Sequence, residues 1–227
     1  MCLILVAWKT VPGFPLVVAA NRDEFHARPA ARAAFWKDEP RILAGRDLEA
    51  LGTWMGVTRN GRFAAVTNYR GGREPRAVES RGALVTRFLV DGTDPQRYVA
   101  DVAKRGAAYS GFNLLAADDE SLWWYSNRGG EPRRLDAGIY GLGNFLLDTP
   151  EVSEPKSQLA RAIVPGPSIE PLFSVLAAAK IVAPDYGTRC STVLISGDEG
   201  IVRFAERAFD AAGSEGETVR FELRQSA

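Results

Sequence analysis

Residues 1–25 read MCLILVAWKTVPGFPLVVAANRDEF. Two short apolar runs, Leu3–Trp8 and Leu16–Ala20, flank Val11-Pro-Gly-Phe-Pro15, and that pattern predicts a β-hairpin. A turn centred between Pro12 and Gly13 makes antiparallel partners sum to about 25. Cys2 then faces Asp23, with Arg22 and Glu24 on either side. A cysteine directly after Met1, set against charged residues at the end of an apolar strand, is the feature on which the reading turns.

The same alternation continues outward. Trp54–Thr58 and Arg62–Tyr69 flank Arg59-Asn-Gly-Arg62, a strong hairpin signal that sets Asn68 opposite Thr53. Two helices follow, one capped by Ser80 and running to Val90, the other started by Asp94-Pro95 and running to Ala107. Phe112–Ala117 and Leu122–Ser126 form a third hairpin, and Ile139–Phe145 reads as a glycine-interrupted strand. Helices at Pro155–Val164 and Glu170–Ile181 precede strands Ser191–Ser196, Ile201–Phe209 and Thr218–Leu223. Antiparallel hairpins with consecutive helix pairs predict an α+β fold of two sheets with helices outside. No linker, internal repeat or low-complexity tract divides residues 1–227, so one domain is expected. The stretches Ala27–Leu51 and Arg70–Glu79 read as loops.

Composition excludes several function classes. Lys+Arg and Asp+Glu both number 28, so no net field favours nucleic acid or an anionic membrane. No run approaches the ~20 apolar residues of a membrane span, and Leu3–Trp8 is short for a signal-peptide core. The expectation is a cytoplasmic protein without a membrane span. Two cysteines, Cys2 and Cys190, make no disulfide framework, and a single histidine, His26, makes no zinc cluster. An enzyme of this composition needs a base other than histidine.

Cys2 offers one. Removal of Met1 leaves a thiol and an α-amine on the same residue, and such an amine, of pKa about 7.7–8.0, can serve as base for its own side chain. The opposing reading of Cys2 is a small buried hydrophobe. Arg22 can favour the thiolate and Asp23 can hold the amine; against this, charged residues at a strand end are commonly solvated. Asn68 and Asn144, at the ends of apolar segments, can donate to an oxyanion or form turns. Arg189 precedes a strand, and its pointing into a site would turn Cys190 to the other face. His26 could ligate haem or a metal, but with no second ligand beside it the reading is of a surface or core residue. Trp123-Trp-Tyr125 reads as sheet packing or the lining of an apolar pocket, and Gly71-Gly72 and Gly129-Gly130 as loops.

Taken together, Met1-Cys2, Ala20-Asn-Arg-Asp-Glu-Phe25, Trp54-Met-Gly-Val57, Ala65-Val-Thr-Asn-Tyr-Arg70 and Tyr186-Gly-Thr-Arg189 resemble the NRDE family, that of the transport and Golgi organisation protein 2. That family is similar to N-terminal-nucleophile hydrolases of the penicillin V acylase and bile-salt hydrolase branch. The resemblance implies a four-layer αββα sandwich. It implies Cys2 as nucleophile, Arg22 beside it, Asn68 and Asn144 positioning substrate or oxyanion, and Arg189 as a late pocket arginine. In the acylase branch the aspartate follows the arginine by three residues, where this chain has Phe25; here Asp23 follows Arg22 directly.

Two functions are therefore expected in order. The first is hydrolysis of an amide or related acyl bond of a small molecule, without a cofactor. The second is a non-catalytic carrier of haem or an acyl lipid on the same scaffold, in which Trp123, Trp124 and Tyr125 face the apolar ligand.

Overall fold

The computed structural model describes residues 2–71, 78–164 and 166–224. Met1 and Gly72 lie outside them, as does most of the Arg70–Glu79 connection. In chain order the strands and helices begin β1 (Leu3–Val11), β2 (Phe14–Phe25), β3 (Ala30–Phe35), β4 (Ile42–Asp47), β5 (Met55–Thr58) and β6 (Phe63–Asn68). Then come α1 (Gly82–Asp91), α2 (Pro95–Lys104), β7 (Phe112–Ala117), β8 (Leu122–Ser126), β9 (Arg133–Leu135) and β10 (Gly138–Leu142). The chain ends with α3 (Ser153–Ile163), α4 (Ile169–Ala177), β11 (Tyr186–Ser196), β12 (Ile201–Phe209) and β13 (Glu215–Arg224). Both sheets are antiparallel, so the predicted α+β class is what the chain adopts.

Two compact units result. The first comprises Met1–Arg28, Ala137–Gly143 and Leu147–Ala227. Its sheet runs β10-β1-β2-β11-β12-β13. Odd-numbered residues of the first hairpin, Leu3, Leu5, Ala7, Val17 and Ala19, join Val193 and Ile195 against Leu159 of α3 and Leu172, Phe173 and Leu176 of α4. Strand periodicity leaves the even-numbered residues, Ile4, Val18 and Arg22 among them, on the opposite face.

The second unit comprises Pro29–Asp136 and Asn144–Leu146. Its sheet is a meander in sequence order from β3 to β9. Leu84, Val85 and Phe88 of α1 and Tyr98, Val99 and Val102 of α2 pack on Ile42, Ala64, Val66, Phe112, Leu114 and Ala116. Asp94 caps α2 as the sequence predicts, its Oδ1 accepting from the Arg97 N–H at 3.0 Å, with Pro95 in the first turn. Ser80 does not cap α1: Arg81 holds that position and no side chain accepts there.

Three departures from the predicted layout matter. Val11 pairs with Phe14 as the turn requires, but Lys9, at φ +48°, opens an irregularity between Trp8 and Val11. From Trp8–Leu16 to Leu3–Asn21 every pair is displaced by one. Extended one step past the end of β1, that register sets Cys2 level with Arg22, not Asp23. At Asn60-Gly61 the loop holds three residues, closed by the Thr58 N–H donating to Arg62 O at 2.9 Å, with Gly61 left-handed at φ +80°. Met55 thus pairs with Ala65, and Asn68 lies one place beyond its predicted partner Thr53. Third, β3 and β4 occupy the expected loop Ala27–Leu51. They are inconspicuous because Ala-Ala-Arg-Ala-Ala-Phe is poor in the residues that favour strands. Gly45 of β4 is required by its neighbour: a Cβ there would lie 2.3 Å from Trp54 Cη2.

Candidate active site

The phrase Asn21-Arg-Asp-Glu24 distributes its side chains by strand alternation, each to a different task. Asn21 faces the helices: its Nδ2 donates to Leu176 O at 2.9 Å, and its Oδ1 accepts from Ser191 Oγ at 2.6 Å. It ties β2 to the end of α4 and is structural. Arg22 is buried on the opposite face and pairs with Cys190 across the β2–β11 ladder. Asp23 is buried, and its Oδ1 accepts from Thr188 Oγ1 at 2.6 Å. Glu24 turns outward and accepts from the Phe25 N–H.

Cys2, half-buried, reaches Asp23 through the backbone. The Asp23 N–H donates to Cys2 Sγ at 3.4 Å, and the thiol donates to Asp23 O at 3.3 Å. Burial pushes the Cys2 thiol up from its ordinary range and the Asp23 carboxylate adds to the rise; the Asp23 N–H and the Arg22 guanidinium act in the other direction. Cys2, Arg22 and Asp23 are thus brought together as the hairpin predicts, although the shifted register exchanges the roles of the two charged residues. Arg22 acts on Cys2 through its charge; Asp23 touches it through its peptide groups.

Thr188 is the partner that the sequence reading missed. Its hydroxyl donates to Asp23 and accepts from the Ile181 N–H at 2.9 Å, so it anchors the carboxylate to the loop before β11. A threonine two residues into a strand carries no signal of its own; only the β2–β11 register makes it visible. Thr188→Val removes the donor to a buried carboxylate and the acceptor of an amide. A stability loss of about 2 kcal/mol is expected in chemical denaturation; a loss under about 0.5 kcal/mol would mean that the bond does not hold Asp23.

Arg189 stands at a register shift between Thr188 and Cys190. Its Nη1 donates to three backbone carbonyls, Phe25 O at 2.9 Å, His26 O at 3.2 Å and Arg28 O at 3.2 Å. It gathers the chain that leaves β2. The same irregularity keeps Cys190 paired with Arg22, instead of turning it away as simple alternation predicts. Cys190 is buried, its thiol pushed well up by burial and then by Glu206. Glu206, which also accepts from Thr192 Oγ1 at 3.4 Å, is a buried carboxylate that the sequence did not single out. His26 is structural: its N–H donates to Asp185 O and its Nε2 lies 3.1 Å from Ala183 O.

Asn68 and Asn144 belong to the second unit, where the structure brings them together. Asn144, buried two residues past β10, donates from Nδ2 to Asn68 O at 2.7 Å, while its own carbonyl accepts from the Arg70 N–H. The Asn144 Oδ1 is buried and accepts no hydrogen bond among the described residues. Of the aromatic cluster, Tyr125 joins the second unit's core and Trp124 is buried. Trp123 lines an open groove of about 610 Å³ beside Ala100, Ala103, Lys104 and Glu131. Tyr125 and Trp124 are thus packing residues, while the groove that Trp123 borders mixes apolar residues with Lys104 and Glu131. No helix among the described residues is long and apolar enough to cross a membrane.

The fold is that of the N-terminal-nucleophile hydrolases. It matches an alanine-substituted variant of the conjugated bile acid hydrolase of Clostridium perfringens with a TM-score of 0.57, at 8% identity, over 100% of this chain and 94% of that one. A leucine-for-arginine variant of the same hydrolase matches with a TM-score of 0.51, at 9% identity, over 98% of each chain. The chain itself belongs to the Transport and Golgi organisation 2 family, whose model matches residues 1–185. It is 34% identical to the human Transport and Golgi organization protein 2 homolog over 99% of this chain and 100% of that protein. It is 37% identical to the Bos taurus homolog over 92% of this chain and 93% of that one.

Proposed function

We propose that the protein is an N-terminal-cysteine hydrolase that cleaves an amide or related acyl bond of a small molecule. The observation that carries this reading is Cys2 itself: a half-buried thiol just before β1, under the charge of the buried Arg22, with the Asp23 N–H on its sulfur. The fold shared with conjugated bile acid hydrolase supports it, since that protein hydrolyses a conjugated bile acid.

Removal of Met1 frees the Cys2 α-amine. The amine takes the Sγ proton and the thiolate attacks the substrate carbonyl carbon, forming a C–S bond and an oxyanion. The ammonium then protonates the departing nitrogen as the C–N bond breaks. Water, losing a proton to the amine, attacks the thioester; the C–S bond breaks, and the carboxylic acid and free thiol are released. Arg22 favours the thiolate, and Asp23, one oxygen held by Thr188, steadies the ammonium. Asn68 and Asn144 keep the oxyanion role that the family resemblance implies.

Intact-mass analysis of the natively produced protein is the direct test. The expected product lacks Met1 and gains one acyl mass from an activated acyl ester, the adduct being lost in Cys2→Ser. Quantitative retention of Met1 sinks the mechanism.

A further inference from the structure

The Asp23 carbonyl oxygen is shared by two donors. The Cys2 thiol donates to it at 3.3 Å and the Tyr186 hydroxyl at 3.1 Å. Tyr186 opens β11, pairs with Phe25 across the ladder, and meets the Phe25 ring edge-on with centroids 5.3 Å apart. Its hydroxyl is therefore aimed by sheet register and ring packing, not by a loose loop. We propose that Tyr186 is a positioning residue whose hydroxyl holds the Asp23 carbonyl while Cys2 gives up its proton, making the thiolate easier to form.

When Cys2 ionises, its S–H leaves the Asp23 carbonyl and a negative sulfur faces that oxygen's lone pairs. A carbonyl that loses its S–H donor in this way opposes ionisation twice, through the lost hydrogen bond and through repulsion. The Tyr186 O–H removes the first cost and polarises the oxygen away from sulfur. Meanwhile the Asp23 N–H, 3.4 Å from Sγ, donates to the thiolate, and the Arg22 charge favours it. One peptide thus presents its N–H to the sulfur while its carbonyl is taken in hand from the other side. The charged groups at Cys2 are the terminal ammonium, Arg22 and the Asp23 carboxylate, the last fixed by Thr188; the ammonium is common to wild type and both variants, so it does not account for a difference between them.

This rests on Cys2 as the nucleophile, but its test reads ionisation and not turnover. Tyr186→Phe keeps the ring and its edge contact and deletes only the hydroxyl. The pH profile of iodoacetamide alkylation, read on the Cys2 peptide by mass spectrometry so that Cys190 does not contribute, is expected to move to higher pH. At pH 7 the rate should fall about three- to tenfold, from a net hydrogen bond of ordinary strength. Phe25→Leu, which keeps the hydroxyl but removes the ring contact, should leave the profile in place. An unmoved or acid-shifted profile in Tyr186→Phe overturns the proposal, as does an equal shift in Phe25→Leu. A shifted profile in a protein that hydrolyses nothing would retain the inference and remove the hydrolase reading.

Discussion

Cys2→Ala is expected to abolish hydrolysis while leaving the protein folded. Removing a nucleophile lowers turnover by about 10³-fold or more, so the residual rate with any N-acyl substrate found for the wild type should fall to background. The fold should not notice. Cys2 precedes β1, and its sulfur makes two weak hydrogen bonds among the described residues, both to the Asp23 backbone. Denaturation midpoints of the alanine variant should match the wild type to within about 1 kcal/mol, since weak sulfur hydrogen bonds contribute little. Cys2→Ser should recover little activity, because a hydroxyl is far harder to ionise than a thiol. Turnover retained in Cys2→Ala would move the chemistry elsewhere in the molecule.

Phe112→Ala carries the largest expected cost in stability. The ring is fully buried in the second unit, edge-on to Tyr109 and to Tyr125 at 5.7 Å each. Truncation leaves a cavity between two aromatic rings that strands and helices hold in place, at a cost of about 3–5 kcal/mol. That is a large part of the 5–15 kcal/mol typical of a folded domain. Phe112 is also the ladder partner of Asn68, so loosening of β7 should be felt at that asparagine. A loss below about 1 kcal/mol in urea denaturation would show that the surrounding rings collapse to fill the space.

Much of the framework was legible because its signals are local. Alternating apolar residues, Asn-Gly and Asp94-Pro95 each act within a few positions, and the elements they predict form. The strands β3 and β4 were not, since alanine and arginine have weak preferences and only the second unit's sheet gives Ala30–Phe35 a partner. At the site, the meeting of Cys2 with Arg22 and Asp23 follows from the hairpin. The assignment of partners does not. Lys9 moves the register by one, the shift at Arg189 returns Cys190 to Arg22, and Thr188 reaches Asp23 across a strand pair more than 160 residues apart in sequence. Irregularities of this kind are set by a single residue's backbone conformation and leave no periodic trace.

The left-handed Lys9 has a consequence at the opposite end of its strand. Which side chain stands across from Cys2 is decided by how many residues the Lys9–Phe14 turn contains, some seven positions away. A one-residue deletion at that exposed tip would slide β2 along β1 and exchange Arg22 for a neighbour beside Cys2. The tip is thus a length gauge for the site. Apart from Gly13, whose φ of +80° favours glycine, it should tolerate substitution while resisting insertion and deletion, the reverse of what surface turns ordinarily allow.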